Sequence, residues 1–298
     1  MSRASRSDAI PAPVLVLTGI VSIQFGAALA VTLIPDIGAG GSVLLRLGIG
    51  AAVLLAIVRP RWRGHSRRAW LTVTAFGVTL GLMNFVFYST LATLPIGVAV
   101  TIEFLGPLSL AAFLSRRWLD GLAVLAAAAG VVLISEALSV PWADLDHRGV
   151  ALALLTGVFW ATYVVLSGRT GLVFAKLDGL AIAMVIATVV VLPVGLPSAG
   201  SWTLTDIAKG VGIAVLSSVL PYSLELMALR RLSTAVFGIL LSLEPAVAAA
   251  AGLLVLGQRL HLAQLVGMVL VVLASVIIMG TNRRSVEDSP SDLTETGG

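Results

Sequence analysis

Cysteine is absent from the 298 residues, which excludes disulfides, thiolate metal sites and a cysteine nucleophile together. Histidine is nearly absent too. The three present, His65, His147 and His261, fall near the ends of apolar segments, too scattered for a buried metal cluster, and no metal or other cofactor is expected. Charge is scarce: Asp, Glu, Lys and Arg make up 11% of the chain, against about a quarter in a soluble domain. With 58% of residues hydrophobic, a chain this poor in charge is solvated mostly by lipid. The signatures of intramembrane chemistry are missing as well. The sequence has no HExxH, no GxSxG and no aspartate pair inside an apolar segment, so an enzyme such as a lipid-modifying transferase lacks candidate catalytic residues.

What the chain does contain is apolar length. Windows of about 19 residues find segments at roughly 12–34, 41–58, 70–91, 96–114, 119–138, 149–167, 176–195, 208–229, 233–255 and 260–280. Each is of the order needed to cross a bilayer as a helix, so the expected fold is an all-α integral membrane protein of ten transmembrane helices.

The net charge of +4 could suggest nucleic acid, but topology explains it better. With a cytoplasmic N-terminus, the inner side holds Arg3, Arg6, Arg59, Arg61, Arg63, Arg67, Arg68, Arg116, Arg117, Arg169, Lys176, Arg230, Arg231, Arg283 and Arg284, and the outer side only Arg148, Lys209 and Arg259. Positive charge concentrates in cytoplasmic loops, so both termini are expected there. Arg3 and Arg6 before an apolar run ending in "AALA" (27–30) imitate a cleaved signal peptide. Cleavage would leave nine spans and undo the charge asymmetry, so the first helix is expected to stay. Residues 1–11 form a cytoplasmic lead and 281–298 a polar tail expected to be disordered.

The two halves resemble each other. Residues 91–112 laid on 229–250 bring together Leu91/Leu229, Leu94/Leu232, Val98/Val236, Leu105/Leu243, Pro107/Pro245, Ala111/Ala249 and Ala112/Ala250. Residue 91 closes the third span and residue 229 the eighth, so the repeat unit is five helices, 12–138 and 149–280. A tandem odd-numbered unit inserts its second copy upside down, the inverted pseudo-twofold of secondary transporters, whose substrate sits near the midplane between the halves. Runs of small residues, "GVTLG" (77–81), "AAAAG" (126–130) and "AVAAAAG" (246–252), read as helix packing faces.

Ionisable residues inside a membrane are costly and mark function by default. The spans hold Arg46, Glu103, Glu225 and Glu244, with Gln24, Asn84, Tyr88, Trp160, Tyr163, Tyr222 and Ser223 around them. Pro107, four residues after Glu103, lacks the N–H that would bond the Glu103 carbonyl, and Pro245 frees that of Leu241. Pro221 is a third expected helix break. Counted from the aligned prolines, Glu103 and Glu244 occupy similar faces nearly one turn apart, which suits a cation or ammonium site; the bland alternative is a protonated acid bonded to a neighbouring helix for Glu103, and a structural hydrogen-bonding role at the kink for Glu244. Glu225, with Tyr222, reads either as an inner gate or as an ion-pair partner of Arg230 and Arg231. Arg46, five residues into its span, is shallow enough to snorkel, or forms a fork for a substrate carboxylate. Trp160 and Tyr163 either pack or line a cavity, and Gln24 and Asn84 each need a partner once buried.

These features carry a family resemblance. The ten spans in two halves, with "ALRRLSTAVFGILLSLEPAVAAAAGLLVLGQRL" (228–260), resemble the EamA-type transporters of the drug/metabolite transporter superfamily. "SIQFGAALA" (22–30), "LRLGIG" (45–50), "GLMNFVFYSTLATLPIGVAVTIEFLGPL" (81–108), "LPYSLELMALRRL" (220–232) and "LLSLEPA" (240–246) resemble its branch exporting threonine- and homoserine-like amino acids. The resemblance implies export of a small neutral amino acid across the inner membrane, coupled to proton entry. A zwitterion needs a carboxylate for its ammonium, from Glu103 or Glu244, and a cationic or N–H group for its carboxylate, from Arg46 or a proline-broken backbone. Sister families move drugs and other metabolites on the same scaffold, and fold alone does not fix the cargo. A channel or a non-transporting sensor would differ in failing to accumulate substrate against a gradient.

Overall fold

The structure is a computed structural model that describes residues 10–90, 93, 102–107, 109–110, 113, 118–134, 146–241, 243–244 and 247, with short stretches at 262–263, 265–267, 269–270 and 272–273. The tail 281–298, residues 1–9, Pro245, and the small-residue run 246–252 apart from Val247 lie outside the described residues. So do large parts of the expected fourth, ninth and tenth spans, and the last four residues of the fifth, 135–138.

Every described element is helical: α1 (Ala12–Val31), α2 (Ile34–Val58), α3 (Arg67–Thr90), α4 (Trp118–Ile134), α5 (His147–Val173), α6 (Asp178–Gly195), α7 (Leu204–Ala214), α8 (Leu220–Leu229) and α9 (Thr234–Leu241). A π-helical stretch, Val215–Val219, joins α7 to α8 in one continuous rod. Lipid offers no hydrogen bonds, so a spanning backbone must satisfy its own amides, and the helix does this within one segment. Five rods in the described part are long and apolar enough to cross a bilayer: Ile34–Val58, Arg67–Thr90, His147–Val173, Asp178–Ser201 and Leu204–Leu229.

The second span starts earlier than its hydropathy suggests. "PDIGAG" (35–40) reads as a loop, yet α2 begins at Ile34. Pro35 in the first turn loses no intrahelical bond, Asp36 favours the positive end of the helix dipole, and Gly38 bends the rod at φ 73°, ψ 171° without ending it. This places Arg46 near the helix middle.

Packing follows backbone contact between small residues. The strongest partners are α3 with α5, α2 with α6, α3 with α6, and α1 with α8. A Cβ on Gly77 would come 2.6 Å from Ile186 Cβ and 2.7 Å from the Ala183 carbonyl; one on Gly81 would come 2.9 Å from the Ala187 carbonyl. The "GVTLG" run is therefore the face on which α3 meets α6. Apolar Ile57, Leu71, Val158, Leu172, Val189 and Leu204 point outward and are exposed, while Arg46, Asn84, Glu103 and Glu225 are buried.

The ends of the bundle differ. At one end Arg230 Nη2 donates to the Phe174 carbonyl at 2.9 Å and to that of Lys176. The Arg61 N–H reaches Asp178 at 3.3 Å and Arg231 reaches the Ile10 carbonyl at 2.9 Å. This gathers the basic turns 59–66, 174–177 and 230–233 on one side. At the other end Lys209 pairs with Asp36 at 3.0 Å and bonds the Thr32 carbonyl at 3.0 Å, and Thr203 and Asp206 cap α7 reciprocally. The grouping matches the alternation of loops read from the positive charges.

Candidate functional site

The site is built around a defect in one helix. Pro221 has no N–H, so the carbonyls one turn behind it lack their usual donor. The ladder there shifts to the π register, with the Leu220 N–H reaching back to Val215. Two carbonyls just before the proline take their bonds from other helices instead. Ser22 of α1 donates to the Leu216 carbonyl at 2.7 Å, and Arg46 of α2 donates through Nη2 to that of Ser217 at 2.5 Å.

Arg46 is held further by Nε to Ser218 Oγ at 2.7 Å and by Nη2 to the Tyr222 hydroxyl at 3.0 Å. Its guanidinium carbon lies 5.8 Å from the Tyr222 ring centroid, and the Tyr88 side chain is in electrostatic reach of the same cation. Asn84 of α3 donates to the Tyr222 hydroxyl at 3.1 Å and to the Leu80 carbonyl at 2.8 Å, so that one phenol oxygen accepts from two helices. Arg46 is 6% exposed. It does not snorkel: its polar partners lie inside the bundle, because the helix break supplies acceptors that lipid cannot.

Glu225, one turn beyond Tyr222, accepts from the Tyr163 hydroxyl at 2.6 Å. Of the two readings of Glu225, the pairing with Arg230 and Arg231 does not form: Arg230 caps the turn after α5, Arg231 bonds the Ile10 carbonyl, and Glu225 is bonded to Tyr163 of α5. The Tyr163 ring packs 5.6 Å from Phe76 and 5.7 Å from Tyr222, which fixes the phenol that holds the carboxylate.

Glu103 is 7% exposed and its carboxyl has no hydrogen-bond partner among the described residues. It sits where two backbones touch. A Cβ on Gly157 of α5 would come 2.7 Å from the Glu103 carbonyl, the group that Pro107 leaves without a donor, and one on Gly106 would collide with the Gly157 backbone. Trp160, one turn along α5, meets Phe104 edge to face at 5.2 Å. Glu244 is half-buried; it is in electrostatic reach of Glu103 and of Glu225, and Glu225 is in reach of Arg46. Arg46, Glu225, Glu244 and Glu103 are thus ionisable groups linked pairwise inside the bundle.

Of the other residues singled out in the sequence, Gln24 is half-buried on α1 outside this network, and Ser223 bonds its own helix at the Val219 carbonyl, 2.5 Å away. Ser22, Ser217 and Ser218 were not legible as site residues, although two serines four and three residues before a proline inside a span were the available signal. Among the described residues no three His, Asp or Glu side chains converge as metal ligands.

An apolar outer surface around buried ionisable side chains defines a multi-pass membrane protein with a polar interior. Its relatives make the class specific. Residues 147–280 match the EamA-like transporter family. The chain is 37% identical to threonine/homoserine exporter RhtA of Salmonella typhimurium (strain LT2), over 98% of this chain and 100% of that one. It is 40% identical to the protein of the same name from Escherichia coli (strain K12), over 88% of this chain and 89% of that one. A crystal structure at 20% identity superposes with a TM-score of 0.73 over 96% of this chain and all of the other, a likeness of fold. The chain belongs to the EamA-like transporter family, and is a transporter rather than an enzyme.

Proposed function

We propose that the protein exports small neutral amino acids of the threonine and homoserine kind across the inner membrane, in exchange for protons, by alternating access between two inverted five-helix halves. The observation that carries this reading is a buried guanidinium, Arg46, held by the interrupted helix, in the same bundle as a buried acid, Glu103, that has no hydrogen bond among the described residues and is in electrostatic reach of Glu244. A zwitterion has the complementary polarity, its carboxylate toward Arg46 and its ammonium toward the glutamates. The relatives named as threonine/homoserine exporters set the expected size of the cargo.

The packing supports the inverted halves. Exchanging each span with the one five later turns the α1–α8 contact into the α5–α3 contact and returns α2–α6 to itself, and these are among the strongest contacts in the molecule. Both termini are assigned to the cytoplasm, on the same side as the basic turns.

In the proposed cycle a proton from outside neutralises the Glu103–Glu244 pair. Facing inward, the substrate ammonium displaces that proton into the cytoplasm; facing outward, a new proton displaces the substrate. Glu225 and Tyr222, bonded to α5, α2 and α3, serve as the inner gate.

Efflux of labelled threonine and homoserine from proteoliposomes under an imposed pH gradient tests this, with Glu244→Gln alongside. Gradient-driven efflux by wild type that is lost in the variant is expected. Active wild-type protein that moves no amino acid in a competition panel would shift the assignment to export of a drug or another metabolite.

A further inference from the structure

The site reading uses Arg46 as the group that receives a substrate carboxylate, but a guanidinium on a flexible stem presents no fixed face by itself. Three bonds fix it here, and they are all on one side of the fork. Nε is spent on Ser218 Oγ at 2.7 Å, and Nη2 on the Ser217 carbonyl at 2.5 Å and the Tyr222 hydroxyl at 3.0 Å. All three acceptors come from the interrupted stretch Ser217–Tyr222, and the Ser217 carbonyl is available only because Pro221 has no N–H to offer it. None of these three bonds uses Nη1. Tyr88 is a further side chain within hydrogen-bonding reach of the cation, and Nη1 is the nitrogen that can take an incoming anion without breaking the three bonds.

We infer that the helix interruption at Ser217–Pro221 is a positioning device for substrate recognition: Ser217 and Ser218 hold Arg46 by its Nε/Nη2 edge so that Nη1 meets the carboxylate of the amino acid. Ser218 is a positioning residue, acting through Arg46 without touching the substrate. This rests on the amino-acid reading above and deepens it by dividing the two edges of one guanidinium between protein and cargo. Bonds to charged groups are stronger and more directional than neutral ones, and an arginine released on one edge samples rotamers in which the other edge no longer faces the site. The loss should therefore fall on carboxylate recognition alone.

The probe pair is L-threonine and L-threoninol, the amino alcohol that keeps the ammonium and the side chain and lacks the carboxylate. Binding of each to full-length purified protein is read by the shift in thermal unfolding, and each is tested as a competitor of labelled threonine in proteoliposomes. Wild type is expected to prefer threonine strongly. In Ser218→Ala the preference should shrink about tenfold, the worth of one charge-assisted bond, through weaker threonine binding with threoninol unchanged. Ser218→Thr, which keeps the hydroxyl, should restore it. Equal weakening of both ligands, or an unchanged ratio in Ser218→Ala, overturns the positioning role and leaves amino-acid export standing. A wild-type protein that responds to neither threonine nor homoserine overturns both.

Discussion

Glu225 and Glu103 are both carboxyl groups buried in the interior of a lipid-solvated bundle, at 5% and 7% exposure, yet their surroundings are opposite. Glu225 takes a 2.6 Å bond from Tyr163 and lies in the field of Arg46. Glu103 has no hydrogen bond among the described residues and its electrostatic neighbour is another acid, Glu244. A buried polar group left unpaired is costly, so a position like that of Glu103 makes sense where something else supplies the partner for part of a cycle. Glu225 already has a donor within the bundle. The proposed cycle draws on that difference, using Glu103 for cargo or proton.

That contrast predicts opposite responses to the same chemical change. Glu103→Gln removes no hydrogen bond made among the described residues, so the thermal midpoint of the purified protein should hardly move, while gradient-driven export should fall about a hundredfold or more, as when one partner of a buried charge pair is lost. A Glu103 variant that unfolds readily and exports normally would invert the assignment. Glu225→Gln should do the reverse in stability: it weakens the bond to Tyr163 and takes a countercharge from Arg46, costing about 1–3 kcal/mol, seen as a lower unfolding midpoint. Tyr163→Phe removes the same bond from the other side and should cost about 1 kcal/mol, with little added to Glu225→Gln in the double variant. At the small end lies Lys209→Gln. The Lys209–Asp36 pair is partly exposed at the far end of the bundle, where such pairs contribute under about 1 kcal/mol, so neither export nor the unfolding midpoint should change measurably.

Much of this was legible in the order of residues. Apolar length gives the helices, because in lipid the chain has few other ways to satisfy its backbone. The alternation of basic loops predicts which turns share an end, and turns 59–66, 174–177 and 230–233 are gathered together. The four ionisable residues inside the spans could be named from cost alone. Their partners could not. Glu225 lies close in sequence to Arg230 and Arg231, which suggested an ion pair, but those arginines turn to loop carbonyls and the carboxylate turns to a phenol 62 positions away. Arg46 read as shallow because "PDIGAG" looks like a loop; Gly38 bends the helix instead of ending it.

The sequence by itself determined that this protein lives in a membrane as a set of helices, where its acids and its buried arginine lie along them, and to which family it belongs, since these depend on composition, spacing and local chain chemistry. The tertiary structure alone decided that the Glu225 carboxylate is held by Tyr163, and that the Ser217 carbonyl orphaned by Pro221 would bond an arginine from another helix. Hydrogen-bond partners of buried groups are chosen by how helices cross, within a few ångströms, and a linear pattern carries no such distance.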